Sequence, residues 1–205
     1  MNRLDLQSRL QNHFQNPVYY TSIDFNDSIQ DGFNQISAFT GCLYASATLT
    51  FQQYRSYYDL LTLFPNYVGI VAMFNATIRR WMFPTSLKKL NQVRIDWDSA
   101  YGTPYYFVPI NHRYVAIYFK PGVANYGSAY IFYRASAPTL TDSTSIEIPD
   151  EHITVLENYC KMDLWEQAQE FGKAEEATQN YISDLEELRV LVRNQRNRDR
   201  YVSLR

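Results

Sequence analysis

Residues 132–152 read FYRASAPTLTDSTSIEIPDEH, and the fold class turns on how this joint is read. A β-like run ends at Pro138, a Thr/Ser-rich crossing follows, and Pro149 with Asp150 opens a helix. Asp150 is the expected N-cap, and Glu151 stands favourably in the first turn. Downstream, Ile153, Leu156, Cys160, Leu164, Ala168 and Phe171 form one apolar stripe, and Gly172 marks a break. Ala174, Ala177, Tyr181, Leu185, Leu188 and Val192 then form the stripe of a second helix.

Upstream of the joint the period is two. Three aromatic-rich segments, YYFVPI, RYVAIYFK and SAYIFYRASA, are separated by turns and predict an antiparallel meander. Pro109 places the first at an edge or a bulge, because proline cannot donate to the ladder. VRIDWD at 93–98 alternates as well and predicts a strand. Nearer the start, Leu6, Leu10 and Phe14 predict a short amphipathic helix stopped by Pro17. Phe25, Ile29, Phe33 and Ile36 predict another, with Gly32 inside it and Ser22, Asp24 or Asn26 as its cap. Leu43, Ala45, Ala47, Leu49 and Phe51 alternate with polar residues as a strand with one packed face. In YVGIVAMFNATIRRWMF, Ile70, Phe74 and Ile78 repeat every four residues and predict a helix, with Arg79 and Arg80 in its last turns and Pro84 ending it.

The expected fold is therefore α+β: a helical bundle with an inserted small antiparallel β-subdomain and a long C-terminal helical segment with an extended tail. Its divisions fall at 1–92 (helices with one strand), 93–148 (β-subdomain), 149–188 (helices completing the bundle) and 189–205 (a basic arm).

Bulk properties narrow the function classes. With 46% hydrophobic and 20% charged residues over 205 positions, the chain is globular, and a net charge of −2 disfavours a basic nucleic-acid binder. Eighteen Tyr within 16% aromatics suit an interface-rich protein or an aromatic core. Cys42 and Cys160 make neither a disulfide framework nor a metal pair, and are expected as buried free thiols in a reducing, intracellular setting. The first residues show no apolar signal region, and stretches such as YVGIVAMF fall short of the roughly 20 residues of a membrane span.

No residue pattern points to catalysis, a cofactor or a metal. His13, His112 and His152 fall in different elements without ligand spacing, no Gly-rich phosphate loop or GxSxG elbow occurs, and Asp96 and Asp98 share a solvated face. The expectation is that the chain is not an enzyme. The aromatic strands leave open a second class, a binding module for nucleic acid or glycan on which rings stack. Charge is blocked at the C-terminus: acids dominate from Glu157 to Glu187, then Arg189, Arg193, Arg196, Arg198, Arg200 and Arg205 reverse the sign. Those arginines are a solvated end, an arm that grips an acidic partner, or a DNA contact.

The order of the pieces resembles the tailed-bacteriophage head-to-tail adaptor (connector) ring proteins. The resemblance spans roughly residues 20–190. It rests on Trp97, Gly102 and Pro104 in a W-x-x-x-x-G-x-P element, Tyr133 and Pro138 at a strand exit one residue longer than usual, the Ile148–Pro149 helix start, and the Ala/Tyr rhythm of the last helix. It implies a structural virion protein of the neck, assembled in the host cytoplasm. It implies a homo-oligomeric ring, commonly twelve subunits, beneath the portal protein. Such a ring extends the DNA channel without binding the genome specifically and docks the next tail or neck protein. By position alone, the six arginines would be the portal-gripping arm. The acids from Glu157 to Glu187 would then face the channel and keep DNA from sticking.

Overall fold

The computed structural model describes residues 1–14, 20–93 and 95–202, with side chains described as far as Asn194. Pro17, expected to stop the first helix, lies outside the described residues. The chain is mixed α and β with largely antiparallel sheets, and it divides into two compact units: Met1–Leu43 with Ala137–Arg205, and Tyr44–Ser136. The β-rich unit thus begins at Tyr44, not at 93, and ends at Ser136, not at 148.

The first unit is helical. In α1 (Arg3–Phe14), Leu6, Leu10 and Phe14 are buried, and in α2 (Ser22–Thr40) so are Phe25, Ile29, Phe33 and Ile36. The cap of α2 is Thr21, one residue before the expected set. Its hydroxyl accepts the Asp24 N–H at 3.4 Å while Asp24 takes back the Thr21 N–H at 2.6 Å, a reciprocal capping box. The Thr21 N–H and the Thr21 hydroxyl, which donates to the same carboxylate oxygen at 2.8 Å, hold the Asp24 carboxyl below its usual range. Gly41 closes the helix at φ 60°, its N–H donating to the Ser37 carbonyl at 2.9 Å.

From Ala137 on, the joint quoted at the outset belongs to this unit, and hydrogen bonds pin it there. Gln30 of α2 donates to the Pro138 carbonyl at 3.2 Å and accepts the Leu140 N–H at 2.7 Å. Arg3 of α1 donates to the Leu140 carbonyl at 2.9 Å and pairs with Asp142. Asn2 bridges to Ser145, and Leu140, Ile146 and Ile148 are buried. The helix it enters starts later than expected. Asp150–His152 form a 3-10 turn, and α5 runs Thr154–Gln167 without a side-chain cap, so Asp150 is not the N-cap. The break before α6 (Phe171–Val202) falls at Ala168–Glu170, where Gln169 takes φ 61°, and Gly172 sits inside the first turn of α6. Phe171, expected on the core stripe, is exposed as a result. Leu185, Leu188 and Val192 pack inward, Asn158 of α5 donates to Asp184 of α6 at 3.0 Å, and Tyr159 meets Tyr181 edge-on at 5.4 Å. Cys160 is fully buried, which pushes its thiol up to about 12, while Cys42 is half-buried.

The second unit holds two four-stranded sheets that share one core. The first has the order β1 (Tyr44–Thr50), β8 (Ser128–Ala135), β3 (Tyr67–Asn75), β4 (Arg80–Trp81). The second has the order β2 (Tyr57–Asp59), β7 (Tyr114–Tyr118), β6 (Tyr106–Ile110), β5 (Phe83–Pro84). Leu49, Met73, Ile131 and Tyr133 of the first face Tyr58, Phe107, Val115 and Ile117 of the second.

Three expectations fail here, each for a physical reason. Residues 67–83 are strands, not a helix. A repeat of four satisfies a period of two as well as 3.6, and the window is rich in β-branched and aromatic residues. Its alternation is hidden by register shifts between Tyr67 and Gly69 and between Ile70 and Ala72, where Val68 and Val71 are extra residues. Among the described residues of 93–98 there is no strand: α4 (Leu87–Val93) is followed by a 3-10 turn at Trp97–Ser99, and of those described only Trp97 is buried. The meander is only half present, because β6 and β7 form a hairpin while β8 crosses to the other sheet between β1 and β3. Pro109 sits on the open side of β6, past the two-residue pairing with β5, so its missing N–H costs no ladder bond.

α4 and the Trp97 turn cover the far face of the second sheet, where Leu90, Trp97 and Ala100 pack on Val108, Ala116 and Tyr118. At the edge strand β2, Arg113 donates to one Asp59 oxygen through Nε at 2.9 Å and Nη2 at 2.7 Å. The other oxygen accepts the Thr62 N–H at 3.3 Å and caps α3 (Leu60–Leu63). The Arg113 hydrogen bonds hold the Asp59 carboxyl at about 2. A carboxyl depressed in the folded state stabilises above its unfolded value near 4 and loses that contribution as pH falls through its folded value. Asp59→Asn is therefore expected to lower the thermal midpoint at pH 7, with the gap to the parent closing between about pH 4 and pH 2. Circular dichroism melts across that range check it; a gap that stays constant with pH would remove the ion pair as its cause.

Candidate assembly surfaces

The titratable groups do not converge. Among the described residues no three His, Cys, Asp or Glu side chains cluster closely enough to hold a metal ion. His13, in the last turn of α1, packs edge-on against Phe14 and Trp165, and burial with Lys161 nearby lowers its pKa. His112 is exposed in the β6–β7 turn and His152 lies in the 3-10 turn before α5. Asp96 and Asp98 flank the buried Trp97 on an exposed turn. Among the described residues no helix is long and apolar enough to cross a membrane.

Of the aromatic strands, the middle one, β7, offers no platform. Val115 and Ile117 face the shared core, while Ala116 and Tyr118 lie beneath α4 and Trp97, so both faces are covered. The exposed aromatic face belongs to the other sheet. Register places Thr48, Tyr130, Phe74 and Trp81 in one row across β1, β8, β3 and β4, with Ser46, Phe132 and Ala72 in the next. The rings touch: Phe74 lies 5.3 Å from Trp81 and 6.4 Å from Tyr130, and Trp81 lies 5.6 Å from Phe132. Trp81 remains 44% exposed and Tyr130 46%, although each sits in a formed strand. An apolar row of this size on a sheet face marks a contact surface more often than an idle one. Sequence reading missed it because two of its four rings fall in the stretch 67–83 read as a helix. The signal available was the aromatic content of β8 alternating with Ala129, Ile131 and Tyr133.

The edge beside this face is unguarded. β1 reads YASATLT, with no charge, proline or glycine among its seven residues. Phe51 N–H donates to Gly127 at 2.9 Å, so by parity the backbone groups of Ser46, Thr48 and Thr50 point away from β8, toward the open edge. A second, shallower feature is an open cleft between loops, lined by Tyr54, Tyr101, Thr103, Val123 and Tyr126, with the Lys120 ammonium 4.8 Å from the Tyr101 ring centre.

The basic segment takes a different form from the one expected. It is not an extended tail from residue 189, because α6 continues unbroken to Val202. The run VRNQRNRDR lacks proline and glycine, and Arg and Gln are good helix formers. Arg189 lays its guanidinium over the Phe39 ring at 4.9 Å, and Val192 is buried, so this much of the segment is held by the helical unit. Arg193 is exposed one turn on. The side chains of Arg196, Arg198 and Arg200, and all of Arg205, lie outside the described residues.

The chain thus exposes an aromatic sheet face and an open strand edge, with Arg193 exposed near the end of the described side chains. No curated protein matches the sequence. One family model does match, over residues 1–205, and the chain accordingly belongs to the SU10 adaptor protein family, a family of phage head-to-tail adaptors.

Proposed function

We propose that the chain is a non-enzymatic structural protein of the phage neck that forms a ring, of twelve subunits, beneath the portal. The ring extends the DNA channel, lets the genome leave through its lumen without specific binding, and docks the next tail or neck protein. It needs no cofactor, and it is made in the host cytoplasm before joining the virion. A helical bundle with an inserted β-unit is its building block, and the basic end of α6 is its grip on the portal. The observation that carries this reading is the family match over the whole chain. The exposed aromatic face and the open edge of β1 support it, because an adaptor needs surfaces that are left unfilled until it assembles.

The test is co-assembly with the portal protein of the same phage. Deleting residues 193–205 keeps Val192 and the Arg189–Phe39 contact, and is expected to weaken portal binding at least about tenfold while leaving the melting curve of the chain in place. Undiminished binding would remove the arm from the mechanism. The alternative class, an aromatic-faced module for nucleic acid or glycan, draws on the same row of rings. It predicts a monomer whose Trp81 fluorescence changes with an oligonucleotide or oligosaccharide and not with portal protein.

A further inference from the structure

The charge of this chain is divided between its two units. Tyr44–Ser136 carries nine Lys and Arg against three Asp and Glu, whereas the remainder up to Leu188 carries four against seventeen. A net charge of −2 conceals this polarity. The polarity reaches the surfaces that are available for contact. The outer face of the first sheet has the aromatic row at its centre, with Arg134 on β8 and Arg79 in the β3–β4 turn beside it, both exposed, and no acid on its strands; Arg80 stands opposite the buried Asn75, on the other face. On α6, the positions turned away from the helical core are Glu175, Gln179, Ile182, Glu186 and Val190, spaced by three and four. Ile182, at the centre of this stripe, is 52% exposed with Glu175 and Glu186 to either side, and Val190, 57% exposed, ends it beside Arg193.

We propose that these two surfaces meet between copies: the basic, aromatic sheet face of one subunit docks on the acidic outer stripe of α6 of the next. This inference rests on the ring reading above and supplies its lateral contact. Both surfaces have an apolar middle and a charged surround, and the surrounds are opposite in sign. The two surfaces are different, so the contact is heterologous: each subunit offers one to each neighbour, and the interface repeats around a closed ring. Opposite potentials at the rim set register and speed encounter, while the ring side chains bury the apolar area. The acids of α6 are then spent on the neighbour and not on the channel wall.

A single-stranded nucleic acid is the other occupant that a basic aromatic sheet suggests. The rings argue against it. Trp81 stands at 75° to Phe74 and 45° to Phe132, and Phe74 is partly covered, so few ring faces lie flat and free for stacking bases. An acidic stripe with an exposed apolar centre, by contrast, is present on every other copy of the chain.

Charge reversal tests the pairing on portal-templated assemblies viewed by negative stain and weighed by light scattering. Arg79→Glu with Arg134→Glu, and separately Glu175→Lys with Glu186→Lys, should each reduce ring yield about tenfold or more at moderate salt. Mixing the two variant chains in equal amounts should restore rings, because in an even-numbered alternating ring every interface again joins opposite charges, and the chain carrying all four changes should recover yield to within about threefold of the parent. All four positions are exposed, and unchanged circular dichroism confirms that the variants fold. If the parent forms rings and neither reversal affects them, this contact is wrong and the ring stands. If the parent forms no ring on the portal protein, the ring reading itself falls and takes this contact with it. Loss in both reversals without rescue in the fourfold variant also overturns the pairing. So does tight binding of a single-stranded oligonucleotide by the parent that Trp81→Ala abolishes while rings persist.

Discussion

Gly32→Val is expected to destabilise the helical unit by about 3 kcal/mol, and Gly32→Ala by about 1–2 kcal/mol, despite alanine's advantage of about 1 kcal/mol in a helix. The reason is the distance between α2 and α5. A Cβ at Gly32 would press into the ring edge of Tyr159 and stand 2.7 Å from Leu156 Cδ1. Neither neighbour is free to yield. Tyr159 is buried, its hydroxyl accepts from Gln35 at 2.8 Å, and its ring meets Tyr181 at 5.4 Å, so displacing it disturbs α2, α5 and α6 together. Leu156 is fully buried. Burial holds the Tyr159 hydroxyl neutral, pushed up to about 12. Gly172 is the internal control: nothing lies within 4 Å of its Cβ position, and Gly172→Ala in the first turn of α6 should stabilise by several tenths to about 1 kcal/mol. Urea unfolding gives the magnitudes, and hydrogen exchange should locate the Gly32 loss in α2 and α5. Equal effects at the two glycines would show that helix propensity decides, not the close approach.

That contrast also marks where sequence reading reached and where it stopped. The stripes of α1, α2, α5 and α6 were legible because each helix buries one face, and Leu6, Ile29, Leu164 and Leu188 all sit where the spacing places them. The strand at 44–50 was legible for the same reason at period two. Gly32 was legible only as a weakness in a helix, since a close approach is a property of the partner and leaves no local mark. The stretch 67–83 misled because its two bulges break the alternation that announces a strand, while its four-residue repeat fits either period. The assembly surface was lost with it, as Phe74 and Trp81 were placed on a helix. Asp150 looked like a cap because Asp after Pro opens many helices, yet here a 3-10 turn comes first. The basic run from Arg189 was separated from α6 because its apolar stripe fades, but helix propensity alone carries the backbone on to Val202. The polarity between the units could be counted from the sequence only once the unit boundaries at Tyr44 and Ser136 were known.

Trp97→Ala should cost about 3–5 kcal/mol in the β-rich unit, the range for emptying the site of a large buried aromatic. Trp97 looked in sequence like a strand residue between two solvated acids. In the structure it is 6% exposed and is the centre of a second, smaller core, packed among Leu90, Ala100, Val108, Ala116 and Tyr118. Its indole N–H donates to Asn91 Oδ1 at 2.8 Å, tying the 3-10 turn back to α4. Ala100 and Ala116 line the space and are too small to refill it. Trp97→Phe keeps a ring there and gives up the hydrogen bond, so it should cost only about 1–2 kcal/mol, and Asn91→Ala about 1 kcal/mol. Hydrogen exchange should show the loss first in residues 87–100 and β7, with β1, β3 and β8 opening only on global unfolding of the unit. The aromatic row on the first sheet is separated from this site by the shared core, so ring assembly at temperatures where the variant is folded should match the parent. A Trp97→Ala cost below about 1 kcal/mol would mean that α4 and its turn are not held by this core, and that the far face of the second sheet tolerates exposure.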